Sequence, residues 1–391
     1  MERIKFIDKL LTDGLFIYLI VHFFFHCLQQ SILKSPTPIF IVLIPVFYEI
    51  IIFIRLLFLY KYKVRTNITF YNFWRAFLFY FIISLYVSYV FYDINHQYST
   101  YLYTLFYPLT FIYLLKLFYI SPIICRKIVN VAPLLLLILS GIYLYFIPLS
   151  LTDKGNFGSL NTSYYILLFY PLTLLNKKSI VKIMSTIITI VVVLLSMKRG
   201  GIIALVLGFS VYFILKGLVG KGNLFKTLIY LFLMFFCLVF SFGYIDDLSG
   251  GYMSSRLLNT IGNAENESRA YIYTNVINHL QSSSVLELIF GHGPDTVRLL
   301  TVDNYTAHND FLEFFYDYGL IGLFFLLFIH FSFIKLIFKI LKKNPDSIIM
   351  FPAVFLYTVV FILSLISHVY IMGYFLVIIL VWTVLLNYRK L

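Results

Sequence analysis

The chain has 391 residues, of which 61% are hydrophobic, 20% aromatic and 12% charged, with a mean hydropathy of +0.92. A soluble globular chain carries roughly 25% charged residues and about half apolar ones, so a water-soluble enzyme, a disordered chain, a coiled coil and a disulfide scaffold are all excluded. What remains is an all-α polytopic membrane protein, and its charge of +13, from 30 Lys+Arg against 17 Asp+Glu, must find a place around the bilayer.

A helical span needs about 20 mostly apolar residues. Polar breaks delimit twelve, at about 12–33, 38–60, 71–92, 99–120, 129–149, 160–176, 181–197, 200–216, 225–245, 309–336, 347–367 and 369–387. Continuous apolar runs without period-two alternation argue against a β-barrel. The first run is long and lacks a small-residue cleavage site, so it is expected to stay as span one. The resulting organisation is spans one to nine over 1–245, a long outward loop over 246–307 and spans ten to twelve over 308–391. Together they make one integral-membrane domain.

With the N- and C-termini in the cytoplasm, 23 basic residues fall on inner segments or inner span ends. Seven remain outside: Lys34, Lys154, Lys198, Arg199, Arg256, Arg269 and Arg298. The positive-inside rule is met by this orientation and broken by its reverse. Twelve of the 17 acidic residues partition outward. Most of the excess charge is therefore a topology signal, and no basic domain supports binding of nucleic acid. The three cysteines lie in or beside spans and have neither disulfide nor zinc spacing.

The outward loop of about 62 residues is the one long connection, and loops of that length are usually functional or disordered. Its apolar spacing predicts a helix at about 266–281, a break at Ser282-Ser283-Ser284, a short apolar element and a tight turn at Gly291-His292-Gly293-Pro294. The segment after it begins Ala307-His308-Asn309-Asp310. At about 100° per residue, His308, Leu312, Phe315, Gly319 and Gly322 share one face, with Asp310, Glu313 and Asp317 on the opposite one. The two glycines would let another helix approach closely. The bland alternative is an amphipathic span entrance with a packing histidine.

Lys198-Arg199-Gly200-Gly201 punctuates two apolar runs and emerges on the outer side. Adjacent cations there read as an anion site, since guanidinium forms bidentate hydrogen bonds to phosphate and the glycines would let a ligand reach the backbone. A short turn with snorkelling cations is the alternative. The anion site is the stronger reading, because charges at span ends inside a bundle are usually functional.

These two signals, in this order around a large outer loop, resemble the O-antigen ligase and polymerase superfamily of bacterial surface-polysaccharide synthesis. The residues that carry the resemblance fall at about 197–201 and 265–322. The family's His-Asn-x9-Gly-x-x-Gly pattern is met by His308, Asn309, Gly319 and Gly322, its span-end arginine by Arg199 and its loop arginine by Arg269. The resemblance implies a metal-independent inverting glycosyltransferase without a cofactor. It would sit in the inner membrane with its active site facing the periplasm. The donor is then a glycan on undecaprenyl diphosphate and the partner substrate a glycan acceptor, with a chain-length regulator as a further partner. Breaking a sugar–diphosphate bond needs the leaving group stabilised by a metal or by preorganised cations. No DxD-like pair stands at the outer mouth, whereas Arg199 and Arg269 are available. The acceptor hydroxyl needs a base with a pKa near neutrality, to which His308 is suited. The expected catalytic set is thus His308, Arg199 and Arg269.

Lys198, Arg298, Arg256, His292 and Asn309 are secondary substrate-binding candidates. Arg298 and Arg256 read equally well as solvated loop charges, and His292 as part of a structural turn. His22 and His26 have a metal-like spacing but no third ligand. Polymerase and ligase differ in acceptor, another lipid-linked repeat unit against lipid A core. Arg269 is followed by Tyr273 where many ligases carry leucine, and the resemblance leans towards polymerases. A polysaccharide-lipid transporter or flippase is the non-enzyme alternative, disfavoured by the absence of an internal repeat and by polar residues gathered at one mouth.

Overall fold

The computed structural model describes residues 2–28, 31, 47–48, 50–52, 54–55, 79–80, 82–83, 110–147, 161–196, 198–219, 225, 229, 232, 236, 240, 243, 246–247, 251, 268–300, 306–343, 347–370 and 374–388. Among them all regular structure is helical, with no strand. The helices are α1 (Glu2–Leu28), α2 (Thr110–Ile120), α3 (Pro122–Phe146), α4 (Ser163–Thr173), α5 (Ser179–Leu195), α6 (Arg199–Val219), α7 (Ser268–Ser282), α8 (Val285–Phe290), α9 (Asp310–Lys343), α10 (Met350–Ile366) and α11 (Tyr374–Tyr388). A 3-10 turn at Thr296–Leu300 precedes α9.

Four of these helices contain stretches long and apolar enough to cross a membrane: Leu10–Leu28, Pro122–Phe146, Arg199–Leu218 and Asp310–Lys342. The spans expected at 38–60, 71–92 and 225–245 lie largely outside the described residues.

Burial sorts the helices. Every residue of α4 is buried, as is every residue of α11 from Tyr374 to Leu385. A helix that is apolar and buried all round belongs at the centre of a bundle. α3, α5, α6 and α10 all pack against α4. α6 and α10 meet closely because Gly208 leaves room for Phe355, whose ring lies 2.9 Å from where a Cβ would stand. Phe209 and Tyr212 continue that seam, with ring centroids 5.1 Å from Phe355 and 4.1 Å from Phe351.

The break at Ser196–Lys198 turns the chain from α5 into α6. Residues 182–187 of α5 and Tyr212 of α6 line one groove, so the two helices run antiparallel. Lys182 and Lys216 are thereby at one end of the bundle and Lys198 and Arg199 at the other. At the far end of the chain, Asp8 of α1 holds Arg55 through Nε at 2.8 Å and Nη2 at 2.9 Å, with both side chains buried.

Candidate active site

The connection between α7 and α9 folds as a compact unit. Ser284 and Glu287 form a reciprocal cap on α8: the Ser284 amide donates to Glu287 Oε2 at 2.7 Å and the Glu287 amide to Ser284 Oγ at 3.3 Å. Gly291 ends α8 at φ +83°. The next amides reach back to the start of α9, His292 donating to the Tyr316 carbonyl at 3.0 Å and Gly293 to that of Asp317 at 2.9 Å.

Gly319 interrupts α9 at φ +64°. A Cβ there would lie 2.3 Å from the Ile289 carbonyl oxygen. The sequence reading of Gly319 and Gly322 as a helix-approach face is therefore corrected. Gly319 admits the α8 turn, and the atom nearest to a Cβ on Gly322 would be Tyr318 Cβ of the same helix.

The three acids of α9's first turns are buried rather than solvated. The Asp317 carboxylate accepts from the Asp295 amide at 2.8 Å, the Thr296 hydroxyl at 3.1 Å and the Val297 amide at 3.3 Å. This fixes the 3-10 turn and hence Arg298, whose Nε lies 2.6 Å from Asp295 Oδ1. Asp310 Oδ2 accepts from the amides of Val369 at 2.9 Å and Tyr370 at 3.4 Å. Glu313 Oε2 lies 3.1 Å from His368 Nδ1.

Asn309 caps α9, its side-chain oxygen accepting from the Leu312 amide at 3.1 Å. His308 precedes it with φ +54°, a left-handed conformation that histidine tolerates better than most residues. Its ring lies 4.7 Å, centroid to centroid, from that of His368.

Lys198 sits just before α6. Its carbonyl accepts from the Ile202 amide at 3.1 Å, and its own amide donates to Ser196 Oγ at 3.3 Å. Gly200 and Gly201 adjoin Tyr164: a Cβ on Gly200 would meet the Tyr164 hydroxyl at 3.0 Å, and one on Gly201 the ring at 3.3 Å. These glycines thus accommodate a tyrosine, not the ligand approach expected from sequence. Tyr164 hydrogen-bonds Ser367 and lies within the field of Arg269.

The charges meet at His308. Burial, then His368, Arg269, Lys198 and Arg298 together push its pKa down to about 3, so the ring is neutral with a free lone pair. Burial alone would lower the pKa of His368, but Glu313 and Asp310 outweigh it and raise it. The pKa values of two adjacent histidines are thus shifted in opposite directions, a pattern found at acid–base sites.

The structure therefore brings together Lys198, Arg269, Arg298 and His308. Arg199 is the partly buried first residue of α6, directly after Lys198. Arg256 lies outside the described residues. His292 belongs to a separate cluster, stacked on Tyr316 at 4.2 Å with Nδ1 by the Tyr316 carbonyl and Nε2 by Ser283 Oγ. It locks the loop, and Asn309 has its capping role. His22 Nε2 pairs with the Tyr165 hydroxyl at 3.0 Å inside the bundle. Sequence reasoning missed His368, Glu313 and Tyr164. The available signal was that Ser367-His368 connects two apolar spans on the same expected side as His308.

Residues 184–327 match the family model described as O-antigen ligase. That segment includes Lys198, Arg199, Arg269, Arg298 and His308, and His368 lies beyond it. No curated protein matches the chain.

Proposed function

We propose that the chain, whose residues 184–327 match the family model described as O-antigen ligase, polymerises oligosaccharide repeat units linked to undecaprenyl diphosphate. The reaction takes place at the outer face of the inner membrane and builds O-antigen or capsular polysaccharide. One observation carries this reading: three cations converge on a neutral histidine within the matched segment.

His308 takes the proton of an acceptor hydroxyl. The freed oxygen attacks the anomeric carbon from the face opposite the diphosphate, with inversion. The carbon–oxygen bond to the diphosphate breaks, and its electron pair leaves with the phosphate oxygen. Lys198, Arg269 and Arg298 receive that charge, with Arg199 at the same turn, by preorganised electrostatic stabilisation. The same cations tune the base. An arriving diphosphate offsets the positive field that depresses His308, so the histidine gains basicity when the donor is in place.

A second reading, transfer of polysaccharide to lipid A core, is favoured by the matched family's own description as a ligase. The surface polysaccharide of a deletion strain separates the two. A missing polymerase leaves single-repeat glycolipid, and a missing ligase leaves bare core with polymer stranded on its carrier. A normal ladder in that strain excludes both readings.

A further inference from the structure

His368 lies in the connection between α10 and α11, 60 residues from His308 in sequence and beyond the family-matched segment. It is 3% exposed and so is shielded from any substrate. Its ring is held on both sides. Nδ1 faces Glu313 Oε2 at 3.1 Å, with Asp310 Oδ1 at 4.0 Å. Nε2 pairs with the Thr306 hydroxyl. Glu313 thus stands at one nitrogen of the ring and the Thr306 hydroxyl at the other. The loop carrying it is pinned to the first turn of α9, where Asp310 Oδ2 accepts from the Val369 and Tyr370 amides. Thr306 stands two residues before His308, so one contact fixes both His368 and the segment that presents His308.

We infer that His368, clamped by Glu313 and Asp310, is a positioning residue for His308: its buried ring, 4.7 Å centroid to centroid from that of His308, orients the His308 imidazole towards the sugar hydroxyl. This deepens the function proposed above and rests on it. The charged and titratable groups around the pair come from four places. Asp310 and Glu313 lie on α9, Arg298 on the 3-10 turn, Lys198 before α6 and Arg269 on α7. Arg298, Lys198 and Arg269 act on His308 in the same direction as His368. The two carboxylates act on His368 and raise its pKa against the effect of burial.

The test uses the purified full chain and its His368→Gln and Glu313→Gln variants, the second nearly isosteric and chosen in case the first does not fold. Carbethoxylation of His308 by diethyl pyrocarbonate, followed by peptide mass spectrometry from pH 5 to 8, reads its protonation without substrate. Wild-type reactivity is expected to be flat across this range. Losing His368, or the carboxylate that raises its pKa, weakens the positive field on His308, so in both variants the acid limb should stand at higher pH than in wild type. A flat profile in both variants overturns the proposal.

Turnover of a lipid-diphosphate-linked oligosaccharide should fall about 10- to 100-fold in each variant, with donor KM within about twofold of wild type, since a positioning defect acts on the chemical step. Loss of folding alone would lower the yield without moving the acid limb. Wild-type turnover in His368→Gln overturns the positioning role while leaving the proposed function standing. Wild-type turnover in His308→Ala overturns both.

Discussion

Gly291 and Gly319 pack backbone to backbone, with φ of +83° and +64°, and a Cβ on Gly319 would stand 2.6 Å from the Gly291 nitrogen. Alanine at either position meets two penalties. Positive φ with ψ of 179° at Gly291 and −163° at Gly319 is a conformation essentially reserved for glycine and costs another residue about 1–3 kcal/mol, and a Cβ on Gly291 would also overlap the Asp317 carbonyl oxygen at 2.2 Å. Gly319→Ala and Gly291→Ala are expected to lose roughly 3 kcal/mol or more of stability, seen as a lower Tm in detergent. Gly141→Ala is the control: nothing lies within 4 Å of its Cβ position, and this substitution inside α3 should be neutral or raise stability by about 0.5–1 kcal/mol.

Lys198 and Arg269 act on His308 from well-separated parts of the matched segment. Lys198→Ala and Arg269→Ala should each reduce polymer formation by about 100-fold, measured as the length distribution made by membranes from the variant strain. Inorganic pyrophosphate should inhibit these variants more weakly than wild type and should inhibit His308→Ala as before. Equal inhibition throughout would remove the cations from the diphosphate site.

His308 is depressed to about 3 in the ligand-free protein, by burial first and then by the surrounding positive charge. The pH dependence of kcat/KM reports the free enzyme and that of kcat the donor complex. Protonation of His308 should therefore leave kcat/KM flat down to about pH 5. A bound diphosphate raises the pKa, so kcat should lose activity towards acid at a higher pH than kcat/KM. Coincident acid limbs would contradict the substrate-tuned base.

Asp8 and Arg55 form a buried, doubly hydrogen-bonded pair, with the Tyr113 hydroxyl 3.4 Å from the same carboxylate. Removing one partner strands a buried charge, at a cost of about 3–5 kcal/mol. Asp8→Ala should lower Tm sharply, whereas Asp8→Leu with Arg55→Leu should recover most of the loss, as followed by thermal unfolding in detergent.

Much of this protein was legible as sequence. Composition placed it in a membrane, because apolar side chains and few charges leave no other solvent compatible with the chain. The polar break at 196–201 marked the turn between α5 and α6, and spacing in the outer loop marked the helix now seen at Ser268–Ser282. His308, Asn309, Arg199 and Arg269 could be singled out as candidates, because a family motif is a local pattern.

Tertiary structure alone decided what those residues do to one another. Three acids that look like a solvated helix face are buried, as acceptors for backbone 295–297 and 369–370 and as the counter-charge of His368. Gly319 serves a backbone kink and not a helix seam. His368 carries no motif and becomes significant only when α9, α10 and α11 are packed. Periodicity and composition reflect each residue's own preference for lipid, water or helix. A positive φ, a buried carboxylate or a pair of histidines shifted in opposite directions depends on segments far apart in the chain, and those are joined only by folding.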